Sequence, residues 1–171
     1  GASEESMLVM QGNLASTYQL IGRREEALHV KRDVYSGRLK LNGVEHESTL
    51  IAASNYAAEL IDLKRFKEAK SVLRKTMPVA RRVLREEHRI TLKMRWNYAL
   101  ALCCDPSATL DDVREGVSTL EDAGRIARRV LGGAHPTTEG IENALRDAGA
   151  ALAAREGDCV SSVCEAVAAA N

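Results

Sequence analysis

The chain has 171 residues, the size of one domain, with 45% apolar but only 4% aromatic side chains. That mixture favours helix and argues against a β-sandwich or barrel, which draws on aromatic and β-branched strands. Lys plus Arg and Asp plus Glu stand at 24 each, so no net charge pulls the chain toward nucleic acid or an anionic membrane. The opening Gly1-Ala2-Ser3-Glu4-Glu5-Ser6 has neither the basic start nor the apolar core of a secretory signal. No apolar run approaches the ~20 residues of a membrane-spanning helix. Leu8, Ala15, Tyr18 and Leu20-Ile21 lie near helical spacing, and Gly22 ends that first helix. A second helix starts at Arg23-Arg24-Glu25-Glu26 and runs to about Lys40, where Asn42-Gly43 supplies the left-handed positions that a helix end favours.

The same plan then recurs. Ser48 or Thr49 offers an N-cap for a third helix, with Ile51, Asn55, Ala58 and Asp62 on one face. Phe66 to Leu84 forms its partner, and Pro78 inside it predicts a kink or an unpaired carbonyl. After a third first-helix, Cys104-Asp105-Pro106-Ser107-Ala108 makes a longer corner. Thr109-Leu110-Asp111-Asp112 reads as a capping box with Asp in the Glu position. The helix it opens ends at Gly132-Gly133. Pro136-Thr137-Thr138 opens a seventh, to about Arg155, and after Gly157-Asp158 an Ala-rich helix or tail from Cys159 to Ala170 is expected as a terminal cap.

Beneath these elements lies a repeat. Asn13-Leu14-Ala15, Asn55-Tyr56-Ala57 and Asn97-Tyr98-Ala99 recur every 42 residues, and Asn143-Ala144-Leu145 follows as a weaker copy. Glu26-Ala27-Leu28 and Glu68-Ala69-Lys70 keep the same interval, as do His46 and His88. The third unit carries Gly116 in place of the small Ala. A lone helical hairpin of this length leaves its apolar stripe uncovered, whereas stacked hairpins bury it between neighbours. The pattern therefore predicts an all-α solenoid of about three helix pairs, with repeats near 7–47, 48–89 and 90–135, a partial one at 136–157, and a C-terminal helix or tail at 158–171.

Asn-Leu-Ala-x-x-Tyr, Gly-Arg-x-Glu-Glu-Ala-Leu and Arg-Val-Leu-x-x-x-His resemble tetratricopeptide repeats (TPR) over about residues 7 to 155. The 42-residue period is similar to that of kinesin light chains rather than to the common 34-residue form. The resemblance implies a right-handed superhelix with first helices on the inner surface, and a groove there that holds a peptide or protein segment.

Asn is a mediocre helix former, so its recurrence inside helices needs a reason. The resemblance places Asn13, Asn55, Asn97 and Asn143 on the groove, where amides can grip an extended backbone. Alternatively each Asn bonds the neighbouring repeat. Groove neighbours follow at one turn either side: Val9, Gly12, Ser16 and Gln19; Ile51, Ala58 and Asp62; Lys93, Trp96 and Leu100; Glu139 and Arg146. Trp96, the sole Trp, is either an anchor for a partner or a core filler.

Charge is uneven along the chain. Twelve Lys or Arg face three acids between Lys64 and Arg95, and six acids face one Arg between Asp105 and Asp122. These are either a basic patch beside an acidic one, or solvated helix faces on which neighbouring units complement each other. No groove-reading motif or interleaved aromatics support nucleic-acid binding.

His46, His88 and His135 recur at repeat boundaries, which points to turns or packing rather than catalysis. No phosphate-binding loop or metal spacing is present, and no cofactor is implied. Cys103, Cys104, Cys159 and Cys164 lack C-x-x-C spacing, so free thiols in a reducing, cytoplasmic compartment are expected. The functional expectation is a non-catalytic protein- or peptide-binding module. The alternative is a scaffold subunit of a larger assembly, docked through its outer or terminal surfaces.

Overall fold

The structure, a computed structural model, describes the backbone of residues 2–169 and the side chains of residues 3–157. Seven helices follow one another, with no strand among the described residues. They are α1 (Ala2–Leu20), α2 (Arg24–Asn42), α3 (Glu47–Asp62), α4 (Phe66–Leu84), α5 (Arg89–Cys103), α6 (Leu110–Leu131) and α7 (Pro136–Ala169). The first six pack as hairpins α1–α2, α3–α4 and α5–α6, and α7 packs on α6. Each second helix also packs on the first helix of the next hairpin. The helices α3, α5 and α7 approach in succession, whereas among α2, α4 and α6 no Cα of one comes within 8 Å of a Cα of another. A stack whose first helices lie closer together than its second helices bends toward the first, so α3, α5 and α7 line the concave side. The expected all-α solenoid of three helix pairs is therefore what the chain forms.

Small residues let the two helices of each hairpin approach. Ala15 and Ala27 in the first pair, and Ala57 and Ala69 in the second, are wholly buried. The third pair has Ala99 and Gly116. A Cβ on Gly116 would lie 2.4 Å from Cys103 Sγ and 3.3 Å from the Ala99 carbonyl oxygen. Gly stands where the earlier repeats have Ala because the Cys103 thiol fills that space. Around these contacts Leu50, Leu60, Leu73, Leu92, Leu102 and Leu120 are fully buried.

The recurring histidines are helix N-caps. His46 Nδ1 accepts from the Ser48 amide at 3.2 Å, His88 Nδ1 from the Ile90 amide at 3.3 Å, and His135 Nδ1 from the Thr137 amide at 3.1 Å. Nδ1 sits as many bonds from Cα as the capping oxygen of Asn or Asp, so it serves the same orphan donor. The expected cap of α3, Ser48 or Thr49, is thus displaced. The Thr49 hydroxyl instead donates to the Arg38 carbonyl of α2 at 3.2 Å. The Thr109–Asp112 capping box of α6 forms as read, its two bonds at 2.8 and 3.1 Å.

Second helices end at one repeated backbone shape. Gly43 (φ 80, ψ 171), Arg85 (φ 71, ψ 168) and Gly132 (φ 88, ψ 159) occupy it in turn. This region is nearly restricted to glycine, and a side chain there costs about 1–3 kcal/mol. Arg85 is therefore a strained member of a glycine series. Arg85→Gly is expected to stabilise the domain by about 1 kcal/mol in urea denaturation, despite the larger unfolded-state entropy of glycine.

The third corner is held from the preceding repeat. Lys70 Nζ of α4 donates to Asp105 at 2.9 Å, and the Ser107 hydroxyl and amide donate to it at 2.7 and 2.9 Å. These bonds, with Lys70 foremost, hold the Asp105 carboxyl at about 2, against an ordinary 3.8. α4 runs through Pro78, which is exposed, so water can serve the carbonyl that lacks its helical donor. The break expected at Gly157-Asp158 is absent, and α7 continues to Ala169. A single Gly costs a helix only about 1 kcal/mol, and the flanking alanines favour helix. The side chains of Cys159 and Cys164, and with them any capping contacts of that segment, lie outside the described residues. Because the Asp105 carboxyl is acidified by folding, its stabilisation is present above pH 3.8 and is lost as the pH falls through 2. Asp105→Asn should flatten the acid-side fall in urea midpoint across that window.

Candidate functional site

The concave side has three seams between successive first helices, and residues at two adjacent phases of the repeat decide each. In the α3–α5 seam, Asn97 Nδ2 donates to the Ser54 carbonyl of α3 at 3.3 Å, and Asn97 is buried. In the α5–α7 seam, Trp96 lies across Gly140, where a Cβ would meet a ring carbon at 2.2 Å. The α1–α3 seam is open: among the described residues no Cα of one helix comes within 8 Å of a Cα of the other. A cleft of about 300 Å³ runs between them, with Val9, Gly12, Asn13 and Ser16 on one wall and Ile51, Ala52 and Asn55 on the other. Val34 and Arg38 of α2 form its floor. An adjoining hollow of about 160 Å³ reaches Gln19 and Lys31.

The residues expected on the groove therefore have different fates. Asn13 and Asn55 are exposed at the cleft, and their amides bond no other side chain or backbone group among the described residues. The phase of Asn55 matches that of Asn97, and Gly12 stands opposite it as Ser54 stands opposite Asn97. With α1 set apart, the bond that Asn97 makes is not made by Asn55. Ser16 lines the cleft while its hydroxyl donates to the Gly12 carbonyl at 3.2 Å. Gln19 accepts from Lys31 Nζ at 3.1 Å. Asp62 pairs with Arg24 at 3.3 Å at the far end of α3. Trp96 is largely covered and packs against the core cluster to which Leu92 and Ile141 belong. Asn143 and Arg146 are exposed on α7, away from the α1–α3 cleft.

Lys31, Val34 and Arg38 at the cleft floor belong to a second helix and were not among the sequence candidates. Their spacing, one helical turn apart along the face carrying Leu28, was the available signal. Lys31 reaches under the seam to Glu59, Nζ to Oε2 at 2.5 Å. Glu59 is wholly buried, and its other oxygen has no described partner. Lys31 is thus committed to holding that carboxylate, since an unpaired buried charge is strongly destabilising. Lys93 on α5 is half-buried, and burial first, then the charges of Arg89 and Lys31, push its ammonium below the usual lysine range. Among the described residues no group of His, Cys, Asp and Glu is arranged to hold a metal ion.

Asn97→Ala should cost about 1 kcal/mol of stability, because a buried bond between repeats is lost. Asn55→Ala should stay within about 0.5 kcal/mol of the parent, as for an exposed side chain without partners. Urea denaturation of both variants separates the bonded Asn from the free one.

The sequence matches the tetratricopeptide repeat family model twice, over residues 8–48 and 49–90. Comparison with curated proteins yields no significant match. Among solved structures, the nearly identical TPR-like repeats assigned to a kinesin light chain of Podosopora anserina superpose with a TM-score of 0.74. They share 27% identity over 85% of this chain and 67% of that one. A single-substitution variant of those repeats gives a TM-score of 0.69 and 25% identity, over 95% of this chain and 73% of that one. BtubC (BKLC) from P. vanneervenii has the same fold at 13% identity and a TM-score of 0.58, covering 90% of this chain and 66% of that one. With two matched repeats and hairpins stacked at their period, residues 8–90 are tetratricopeptide repeats, in a chain whose fold is similar to that of the kinesin light chain TPR-like repeats.

Proposed function

We propose that this chain is a non-catalytic interaction module that holds an extended peptide or protein segment in its concave groove, at the α1–α3 cleft. TPR domains typically mediate protein–protein contacts, and no helix among the described residues is long and apolar enough to cross a membrane. The observation that carries the reading is the pair Asn55 and Asn97. Asn97 uses its amide on a main-chain carbonyl across its seam. Asn55, at the equivalent phase, faces an open cleft with Asn13 beside it. A ligand strand lying there would offer its own carbonyls and amides to these two side chains, the main-chain mode of peptide capture. Val9 and Ile51 line the same walls and would receive an apolar side chain. Lys93, further along the concave side, would meet an acidic one. Cys103 and Cys104 are free thiols, which fits work in a reducing, cytoplasmic compartment.

A second reading, a scaffold subunit docked through a terminal surface, is favoured by the exposed apolar residues of α1.

Gly12 supplies the test of the first. A Cβ there meets nothing within 4 Å, so Gly12→Trp should fill the cleft as Trp96 fills the α5–α7 seam, with little change in melting temperature. Peptides selected on the parent chain from a random linear display library should bind Gly12→Trp and Asn13→Ala/Asn55→Ala at least about tenfold more weakly. Undiminished binding to both would exclude the cleft as the site.

A further inference from the structure

One bond of the repeat is left unmade. Asn97 Nδ2 donates to the Ser54 carbonyl across the α3–α5 seam, and both residues are buried. One period earlier the same two phases carry Asn55 and Gly12, on opposite walls of the open α1–α3 cleft. The Asn55 amide has no partner among the described residues, and the Gly12 carbonyl accepts from the Ser16 hydroxyl at 3.2 Å. Ala58 stands at the phase of Ser16 in the next repeat and has no hydroxyl to offer. The acceptor that an Asn amide reaches in the closed seam is served by a rotatable hydroxyl in the open one.

Gly12 needs a reason of its own, because a glycine inside a helix costs stability relative to alanine. Gly37, Gly116 and Gly140 have one: a Cβ on any of them would lie within 2.6 Å of a side chain of a neighbouring helix. Around Gly12 nothing lies within 4 Å while α1 stands apart from α3. With α1 moved onto α3, Gly12 is the residue at which the two backbones meet, and no side chain at its phase stands in the way.

The packing of α1 suits such a move. The helices α3, α5 and α7 each lie against the second helix of the hairpin before, whereas α1 is held by α2 alone among the described residues. That contact is close at the wholly buried Ala15 and Ala27 and looser toward the start of α1. There Leu8 sits over Gly37, so no side chain of α2 rises at that point to lock it. A hollow of about 320 Å³ remains among Met7, Leu8, Gly37, Lys40 and Leu41. Toward the other end Lys31 Nζ donates to both Gln19 of α1 and Glu59 of α3, which ties the two helices through α2. That tie is a pivot, about which the first half of α1 can shear toward α3.

We propose that α1 is a lid on its own cleft. In the unliganded chain it exchanges between the open position and one in which Asn55 Nδ2 donates to the Gly12 carbonyl, as Asn97 does to Ser54. The closed position covers Val9 and Ile51 and occupies the amide that the groove reading assigns to a ligand. Lid and ligand therefore compete, and the apparent affinity for a peptide falls in proportion to the open fraction. The competition rests on the groove reading, whereas the exchange itself does not.

Nuclear Overhauser contacts in the isotopically labelled chain test it. The contact from the Asn97 side-chain amide to the Ser54 backbone calibrates the measurement. Without ligand, the Asn55 side-chain amide should show a contact to the Gly12 α-protons at no less than about a tenth of the calibrating intensity, as a well-populated closed form requires. A saturating peptide, selected on the parent chain from the random library, should weaken that contact at least about tenfold. A calibrating contact seen without the Asn55–Gly12 contact overturns the lid. An Asn55–Gly12 contact that persists undiminished in the peptide-saturated chain overturns the competition. If no peptide binds, the groove reading falls, and the unliganded measurement still decides the lid.

Discussion

Each inner first helix of this solenoid is held by two second helices, its own and that of the hairpin before it. α3 lies against α4 and α2, and α5 lies against α6 and α4. The own-pair contact depends on small residues, wholly buried Ala57 against Ala69, and Ala99 against Gly116. The preceding-pair contact depends on a strip in which Thr49 and Thr91 bond carbonyls of the earlier helix. With both contacts made, the position of a first helix follows. Its remaining face, turned to the concave side, needs no packing of its own and is left for other chemistry. α1 has its own-pair contact alone, and the distinctive features of the molecule gather there: the open seam, the free amides and the exposed apolar strip.

The three seams show how one scaffold makes three surfaces. The α3–α5 seam is closed by a side chain to main chain bond, the α5–α7 seam by an indole on a glycine, and the α1–α3 seam stays open. The deciding residues are neighbours in the repeat: Gly12, Ser54 and Trp96 share one phase, and Asn13, Asn55 and Asn97 the next. A seam with Gly at the first phase has nothing with which to fill itself. The ion pair Lys31–Glu59 under the open seam props the floor of the cleft from α2, which fixes its depth without helix-to-helix contact between α1 and α3.

The period of 42 residues, the Thr109–Asp112 capping box and the small-residue phase were legible in the sequence, because each is a local requirement, whereas the cap of α3 falls to His46 and not to Ser48 or Thr49. His46, His88 and His135 announced the repeat boundaries even before their capping geometry gave the cause. The concave site was only half legible. The family resemblance placed Asn13, Asn55 and Asn97 on the inner layer, but neither it nor the repeat phase encodes the distance between successive first helices. That distance makes Asn55 free and Asn97 buried. Trp96 is similar: its partner Gly140 lies on the irregular fourth unit, so no spacing pointed to it. The floor residues Lys31 and Arg38 reach the cleft only because α1 and α3 stand apart. A continuous helix through Gly157 was also hidden, since one glycine among strong helix formers reads as a stop but lacks the energy to be one.

The uneven charge resolves in the same way, through neighbours rather than along the chain. Basic α4 sits beside the acidic corner and start of α6. Lys70 bonds Asp105, and Arg74 donates to the Tyr98 hydroxyl, which in turn donates to Glu115 at 2.9 Å. Arg129 to Glu87 and Arg82 to Glu45 bridge from the ends of second helices to the loops that open their own repeats. Exposed pairs of this kind contribute little individually, roughly 0–1 kcal/mol. Their larger effect is on which surface keeps an unbalanced charge. The convex basic run is answered by the corner and start of α6, whereas Lys93 is half-buried on the concave side, where burial first and then Arg89 and Lys31 disfavour its charged form.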